Sequence, residues 1–240
     1  MLTAIIICFV YVVFLLGISK LFKVNYTEII KTTDNIKRGL IYTVGICTVL
    51  LTAFAYAFDW LPGVLTYSPR LDKPILWVIP ALILAGAIWR FTHAKWKSFT
   101  PEGVFYLVVG TFFVGFSEEL LVRGIVAGSL FDHGFSLFWV AVLSSVIFGA
   151  AHSVNYFNGQ DAKTTASQVL MTSFFGLNFF IAYVLSGTLW VPILLHFIHD
   201  LSLFSQGGEI NSEKEDTQKG EMYIVLALVI LPLLALFFLK

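Results

Sequence analysis

The chain has 240 residues, 58% of them hydrophobic and 12% charged, with a mean hydropathy of +0.86. Soluble domains carry about 25% charged residues, so this chain has too few to cover a water-facing surface and belongs in lipid. Its formal net charge is zero, which gives no electrostatic ground for binding nucleic acid.

A membrane span needs roughly 20 mostly apolar residues. Thr3 to Leu21 meets that length. No basic stretch precedes it, no small-residue cleavage site follows, and Lys20 and Lys23 come after its apolar core, so it reads as a retained span and not a signal peptide. Leu40 to Trp60 and Pro74 to Trp89 are the second and third spans. Val104 to Phe131 is apolar but interrupted by Glu118, Glu119 and Arg123. At 1.5 Å per residue its roughly 28 residues would make a helix of about 42 Å, longer than the roughly 30 Å hydrocarbon core and too short for two spans. It is either one tilted helix or a partial helix leading into a span that starts near Gly115. Leu137 to His152, Ser167 to Ser186, Leu189 to Phe204 and Met222 to Leu239 follow, with Gly207 to Glu221 as the clearest exposed loop.

The chain is therefore expected to be all-α, a polytopic membrane protein with about eight transmembrane helices. Residues 1–99 form amino-terminal helices without a matching motif. Residues 100–205 form the core that carries the chemistry, and 206–240 a polar loop and last helix. The 24 Phe and 6 Trp suit lipid-facing surfaces and interface anchors. Cys8 and Cys47 lie in apolar runs and read as small membrane residues, not a disulfide or a metal site. Lys20, Lys23, Lys31, Lys37 and Arg38 lie between spans one and two. Arg90, Lys95 and Lys97 follow span three, Lys163 span five, and Lys214 and Lys219 span seven. Basic residues gather on the cytoplasmic side, so the amino terminus is expected outside and these loops inside.

A charged side chain at mid-bilayer costs at least about 2.5–3.5 kcal/mol, so charges within spans point to function. Here they fall in three short motifs. In Ser117-Glu118-Glu119-Leu120-Leu121-Val122-Arg123-Gly124, Glu119 and Arg123 stand four residues apart and can pair along one helix face. Glu118 points about 100° away and is left for chemistry, as a desolvated carboxylate suited to general-base work. The bland alternative is a bundle held together by ion pairs. In Phe148-Gly149-Ala150-Ala151-His152, His152 ends span five, with Phe148 one turn back and small residues that allow close helix approach. Alone, such a histidine could simply satisfy a helix end. In His196-Phe197-Ile198-His199-Asp200, His196 and Asp200 share a face and His199 lies one residue off it. The pair could equally be a simple helix-stabilising hydrogen bond.

Together, a Glu, two or three His and an Asp in one cavity could hold zinc. Without a metal, Glu118 and His152 could activate a water while His196 and Asp200 steady an oxyanion. Both routes end in hydrolysis of an amide bond.

With these residues in hand, the chain resembles the CPBP family of intramembrane proteases. That family includes the CAAX prenyl endopeptidases and the bacteriocin-processing or self-immunity (Abi) proteins. Its signature is two adjacent glutamates with an arginine four residues after the second, then Phe-x-x-x-His, then His-x-x-x-Asn/Asp. Glu118, Glu119 and Arg123, then Phe148 and His152, then His196 and Asp200 match it in order, over about Thr100 to Ser205. The resemblance implies an intramembrane endopeptidase that cuts a membrane-associated peptide near the cytoplasmic face. Glu118 would be the water-activating base aided by His152, with His196 and Asp200 at the oxyanion site. Glu119, Arg123 and Phe148 would orient them. If zinc is used, Glu118, His152 and His196 would hold it, and a metal-independent mechanism is equally open. The implied partners are a membrane peptide and the lipid bilayer, and the implied place is a bacterial inner membrane. The third motif ends in Asp200, where the eukaryotic CAAX enzymes have Asn. An ionised Asp donates no hydrogen bond, so it is protonated, orients His196, or helps hold a metal. A family member without catalysis, binding a peptide as an immunity or scaffolding factor, is the alternative. A coupled transporter is disfavoured because no internal repeat relates the two halves.

Overall fold

The structure is a computed structural model in which residues 2–58, 60, 65, 70–207 and 215–239 are described. Every regular element among them is helical. We number the long helices α1 (Leu2–Leu21), α2 (Thr33–Ala57), α3 (Pro74–Thr92), α4 (Pro101–Asp132), α5 (Leu137–Ala151), α6 (Ala162–Ser186), α7 (Trp190–Phe204) and α8 (Glu215–Ala235). Six stretches are long and apolar enough to cross a membrane: five of these helices (the first four and α6), together with α5 extended through Phe157. The apolar parts of α7 and α8, Trp190–Phe204 and Tyr223–Leu239, are shorter. The protein is a polytopic integral membrane protein.

Several boundaries differ from the sequence expectation. α2 begins at Thr33, capped by Thr32, so Lys37 and Arg38 lie within the helix and not in the preceding loop. The stretch around Glu118 is one continuous helix of 32 residues, not a partial helix followed by a new span from Gly115. Thr100 caps it by accepting a hydrogen bond from the Gly103 amide, and Pro101 stands in the first turn, where a missing N–H costs nothing. Arg90 does not follow span three. It sits inside α3 and is 3% exposed. The loop expected over Gly207 to Glu221 is shorter than that, because α8 begins at Glu215; residues 208–214 lie outside the described residues.

Two helices contain wide i→i+5 turns, Lys37–Val44 in α2 and Leu120–Ala127 in α4. Such π-turns are rare and are frequently found at functional sites. All eight residues of the second are buried. Since every direction around that segment meets protein, an all-apolar surface with Arg123 as its single charge is its stable composition.

Two close approaches set the centre of the bundle. A Cβ on Gly115 would lie 2.9 Å from the Phe197 backbone nitrogen, so α4 and α7 pack backbone to backbone there. A Cβ on Gly149 would lie 2.5 Å from the Val169 carbonyl oxygen, which brings α5 onto α6 in the same manner. Without a hydrophobic drive between helices in lipid, small residues at the contact are what permit such packing.

The interhelical segments gather at two ends. At one, the Tyr26 amide donates to Asn158 O (2.8 Å), the Lys95 amide to Ser205 O (2.7 Å), and Thr33 bonds Thr100 through their hydroxyls (2.8 Å). Lys23, Lys31, Lys95 and Lys97 lie in the segments of this end. At the other, the Leu71 amide donates to Val184 O (2.9 Å) and Thr188 Oγ1 to Leu65 O (3.3 Å).

Gly149→Val is expected to destabilise the protein by about 1–3 kcal/mol through overpacking. Gly128→Ala, in α4 where an added Cβ meets nothing within 4 Å, should leave stability unchanged or raise it slightly. Thermal unfolding in detergent measures both.

Candidate active site

The site is organised around one ion pair with no exposure to solvent. Arg123 Nη1 donates to Glu119 Oε1 at 2.9 Å, and both side chains are 0% exposed. A buried charge is tolerated only when its hydrogen-bonding groups are occupied. Arg123 meets much of that demand across the bundle: Nη2 donates to the Gly176 carbonyl of α6 at 2.6 Å, and the guanidinium lies 4.5 Å from the centre of the Phe148 ring. Cation and ring attract through the ring quadrupole, so one arginine ties α4, α5 and α6 together. Among the described residues, Glu119 Oε2 and Arg123 Nε have no hydrogen-bond partner.

Glu119 also holds the third motif. His196 Nδ1 donates to the same Oε1 at 2.9 Å. The imidazole stacks on Phe179 (4.7 Å between centres, 17° between planes) and meets Phe148 edge-on at 5.7 Å. Fixed at Nδ1 and clamped between two rings, His196 turns Nε2 towards Asp200 Oδ2 at 3.5 Å and Glu118 Oε2 at 3.9 Å. His152, just past the end of α5, donates from Nδ1 to the Phe148 carbonyl at 3.0 Å, which leaves Nε2 facing Glu118 Oε2 at 4.0 Å. Glu118 Oε2 is buried and has no hydrogen-bond partner among the described residues. It stands between the two imidazole nitrogens, beyond direct hydrogen-bond length from either.

All seven residues singled out in the sequence thus come together. Glu118, Phe148, His152, His196 and Asp200 line a single cavity of about 220 Å³, with Glu119 and Arg123 behind that wall. His199 lines it too, its ring 4.3 Å from Phe175 and its Nδ1 3.5 Å from Arg90 Nη1. Arg90 was expected in the loop after span three; the apolar Phe91 that follows it was the available clue that the helix runs on. The amino-terminal helices, which carry no motif, supply part of the wall: Tyr11 of α1 lines the cavity and donates to Ser117, the neighbour of Glu118, at 3.1 Å. Asn155 and Gln168 line it as well. No spacing rule in the sequence pointed to Tyr11 or Gln168, whereas Asn155 follows His152 by three residues.

Zinc would be held here by Glu118, His152 and His196. Both imidazoles have Nδ1 bonded to an oxygen and Nε2 turned inward, as metal-ligating histidines do. The spacing does not follow. Neighbouring donors around tetrahedral zinc stand roughly 3.3 Å apart, against 3.9 and 4.0 Å here. Among the described residues no three His, Cys, Asp or Glu side chains are arranged to hold a metal ion.

Replacing Glu119 by Leu strands the Arg123 charge in the interior. The expected loss is about 3–5 kcal/mol, and the double variant Glu119→Leu/Arg123→Met should lose much less than the sum of the two single changes. Unfolding of the three variants in detergent gives the comparison.

Residues 100–202 match the model of the family described as type II CAAX prenyl endopeptidase, Rce1-like. The comparison with curated proteins returns no match. The matched segment runs from the cap of α4 to α7 and contains every residue of the three motifs. That family is one of intramembrane endopeptidases that act on membrane-associated substrates, and over this segment, which is less than half of its length, the chain is similar to it.

Proposed function

We propose that the protein hydrolyses a peptide bond of a membrane-associated peptide with a water activated by Glu118, without a metal. The observation that carries this reading is the buried, unpartnered Glu118 Oε2 between His152 Nε2 and His196 Nε2 at 4.0 and 3.9 Å. Across a gap of more than 3.5 Å a water can bridge two polar groups, and a carboxylate oxygen that bonds none of the described side chains is free to take a proton.

In this scheme Glu118 removes a proton from the water as its oxygen attacks the carbonyl carbon of the scissile bond. His152, fixed by its bond to the Phe148 carbonyl, holds the water on the other side through Nε2. The carbonyl oxygen gains the negative charge, next to His196 Nε2. His196 has an acceptor on each nitrogen, Glu119 Oε1 and Asp200 Oδ2, so each nitrogen can serve as a donor, and the Nε2–H can be shared with an oxyanion placed beside it. Asp200 then acts through His196 and makes no bond to the oxyanion, which accounts for an acid that cannot itself donate. As the tetrahedral intermediate collapses the C–N bond breaks, and Glu118 returns its proton to the leaving nitrogen. The products are a carboxylate and an amine.

The cut falls near the cytoplasmic face in this reading. The cavity reaches Ser19, Tyr26, Asn155 and Asn158 at the end of the bundle where the basic segments gather, and basic segments face the cytoplasm.

Purified protein is expected to cleave at least one of a panel of internally quenched peptides that join an apolar segment to a polar tail. Glu118→Gln should abolish the activity with the melting temperature unchanged, and loss of a general base alone costs about 10²–10⁴-fold. Equal cleavage by Glu118→Gln would overturn the reading and favour a peptide-binding role. Activity should also survive dialysis against a chelator. Loss of activity that zinc restores would replace the water mechanism with a metal-based one.

A further inference from the structure

The cavity has a second polar zone that this scheme does not use. Asn155 Nδ2 donates to Gln168 Oε1 at 2.9 Å, and Gln168 Nε2 donates to the Tyr26 hydroxyl at 2.8 Å. All three line the cavity that holds Glu118. The row starts beside the catalytic machinery, since the Asn155 amide donates to the His152 carbonyl at 3.0 Å, and it ends at Tyr26 in the segment that closes the basic end. Much of the remaining wall is apolar, as at Val12, Leu15, Val44 and Leu203.

The row keeps unused bonding capacity. A side-chain amide offers two donors and a carbonyl acceptor, and a phenol one donor. Among the described residues the Tyr26 O–H donates to no group, Asn155 Oδ1 accepts from none, and each of the two NH₂ groups uses one hydrogen. Burial pushes the Tyr26 hydroxyl up to about 12, so it stays a donor at any ordinary pH.

A peptide bond can be attacked only when its carbonyl is reachable, which requires the chain to open from a helix to an extended form. The N–H and C=O groups released by that opening cost about 1–3 kcal/mol each if left unpaired in an apolar cavity. Side-chain amides carry the same donor and acceptor types as a peptide and can pair with both. We propose that Asn155, Gln168 and Tyr26 form a subsite that binds the main chain of an extended peptide beside the scissile bond, on the flank nearest the basic end. The inference rests on the peptidase reading. It implies a substrate read by its backbone, tolerant of side-chain identity on that flank, and intolerant of proline at the residue whose N–H meets Asn155 Oδ1.

The test is binding, measured in the Glu118→Gln background so that no peptide is cut. Fluorescein-labelled peptides with an apolar segment and a polar tail are titrated with this protein in phosphatidylglycerol–phosphatidylcholine vesicles. Each backbone amide of the tail is replaced in turn by an ester, which removes one N–H. An ester at one position should raise Kd about ten-fold, the equivalent of one lost hydrogen bond. Adding Asn155→Leu should erase that penalty. Adding Tyr26→Phe, which removes only a hydroxyl and serves if Asn155→Leu fails to fold, should weaken binding of all peptides about ten-fold and keep the ester penalty. The subsite is overturned if no all-amide peptide binds, if the ester series is flat, if Asn155→Leu retains the penalty, or if Tyr26→Phe binds like its parent. Hydrolysis plays no part in these readouts, so a failure of the catalytic scheme is seen separately.

Discussion

A single carboxylate oxygen, Glu119 Oε1, accepts from both Arg123 and His196, and the arrangement of the whole site follows from that sharing. In lipid there is no water to take over either bond, so both donors are held. Arg123 extends the constraint to the Gly176 carbonyl and the Phe148 ring, and Phe148 in turn carries the carbonyl that orients His152. Four helices are therefore indexed to one oxygen. What remains, Glu118, is the acid that this network does not consume.

The adjacency of the two glutamates thus has a physical sense. On a helix, consecutive residues face directions about 100° apart, so one carboxylate can be spent inside the protein while its neighbour opens on the cavity. The glutamate pair with an arginine four residues on was legible in the sequence because helical spacing alone predicts the Glu119–Arg123 bond, which is present. The same arithmetic gave the shared face of His196 and Asp200. It could not give the bond from His196 to Glu119, which spans 77 residues and depends on how closely α4 and α7 approach at Gly115.

The less legible parts have physical causes. The helix through Glu118 outruns the hydrocarbon core, and length alone did not decide between one helix and two; it runs unbroken through a buried π-turn, which sequence periodicity does not announce. Arg90 was misread because a charge near the end of an apolar run looks like a loop residue until the helix is seen to continue to Thr92. The contribution of α1 was missed because Tyr11 and Ser19 are ordinary residues for a lipid-facing helix. Only the packing shows that one narrow face of α1 closes the cavity while Phe9, Val10 and Val13 stay exposed.

The wide turn at Leu120–Ala127 has a consequence for how the chain tolerates changes in length. A π-turn holds one residue more than the α-helix would need to cover the same arc. Between Gly110, which packs closely on Leu40, and Glu118, deleting a residue would rotate the two parts of α4 by about 100° against each other, so that contact and the direction of the catalytic acid could not both be kept. Between Gly124 and Ala127 a deletion can be absorbed by relaxing the wide turn into regular helix, with Glu118, Glu119 and Arg123 left in register. The segment next to the most constrained residues of the protein is thus the one stretch of α4 with a residue of slack.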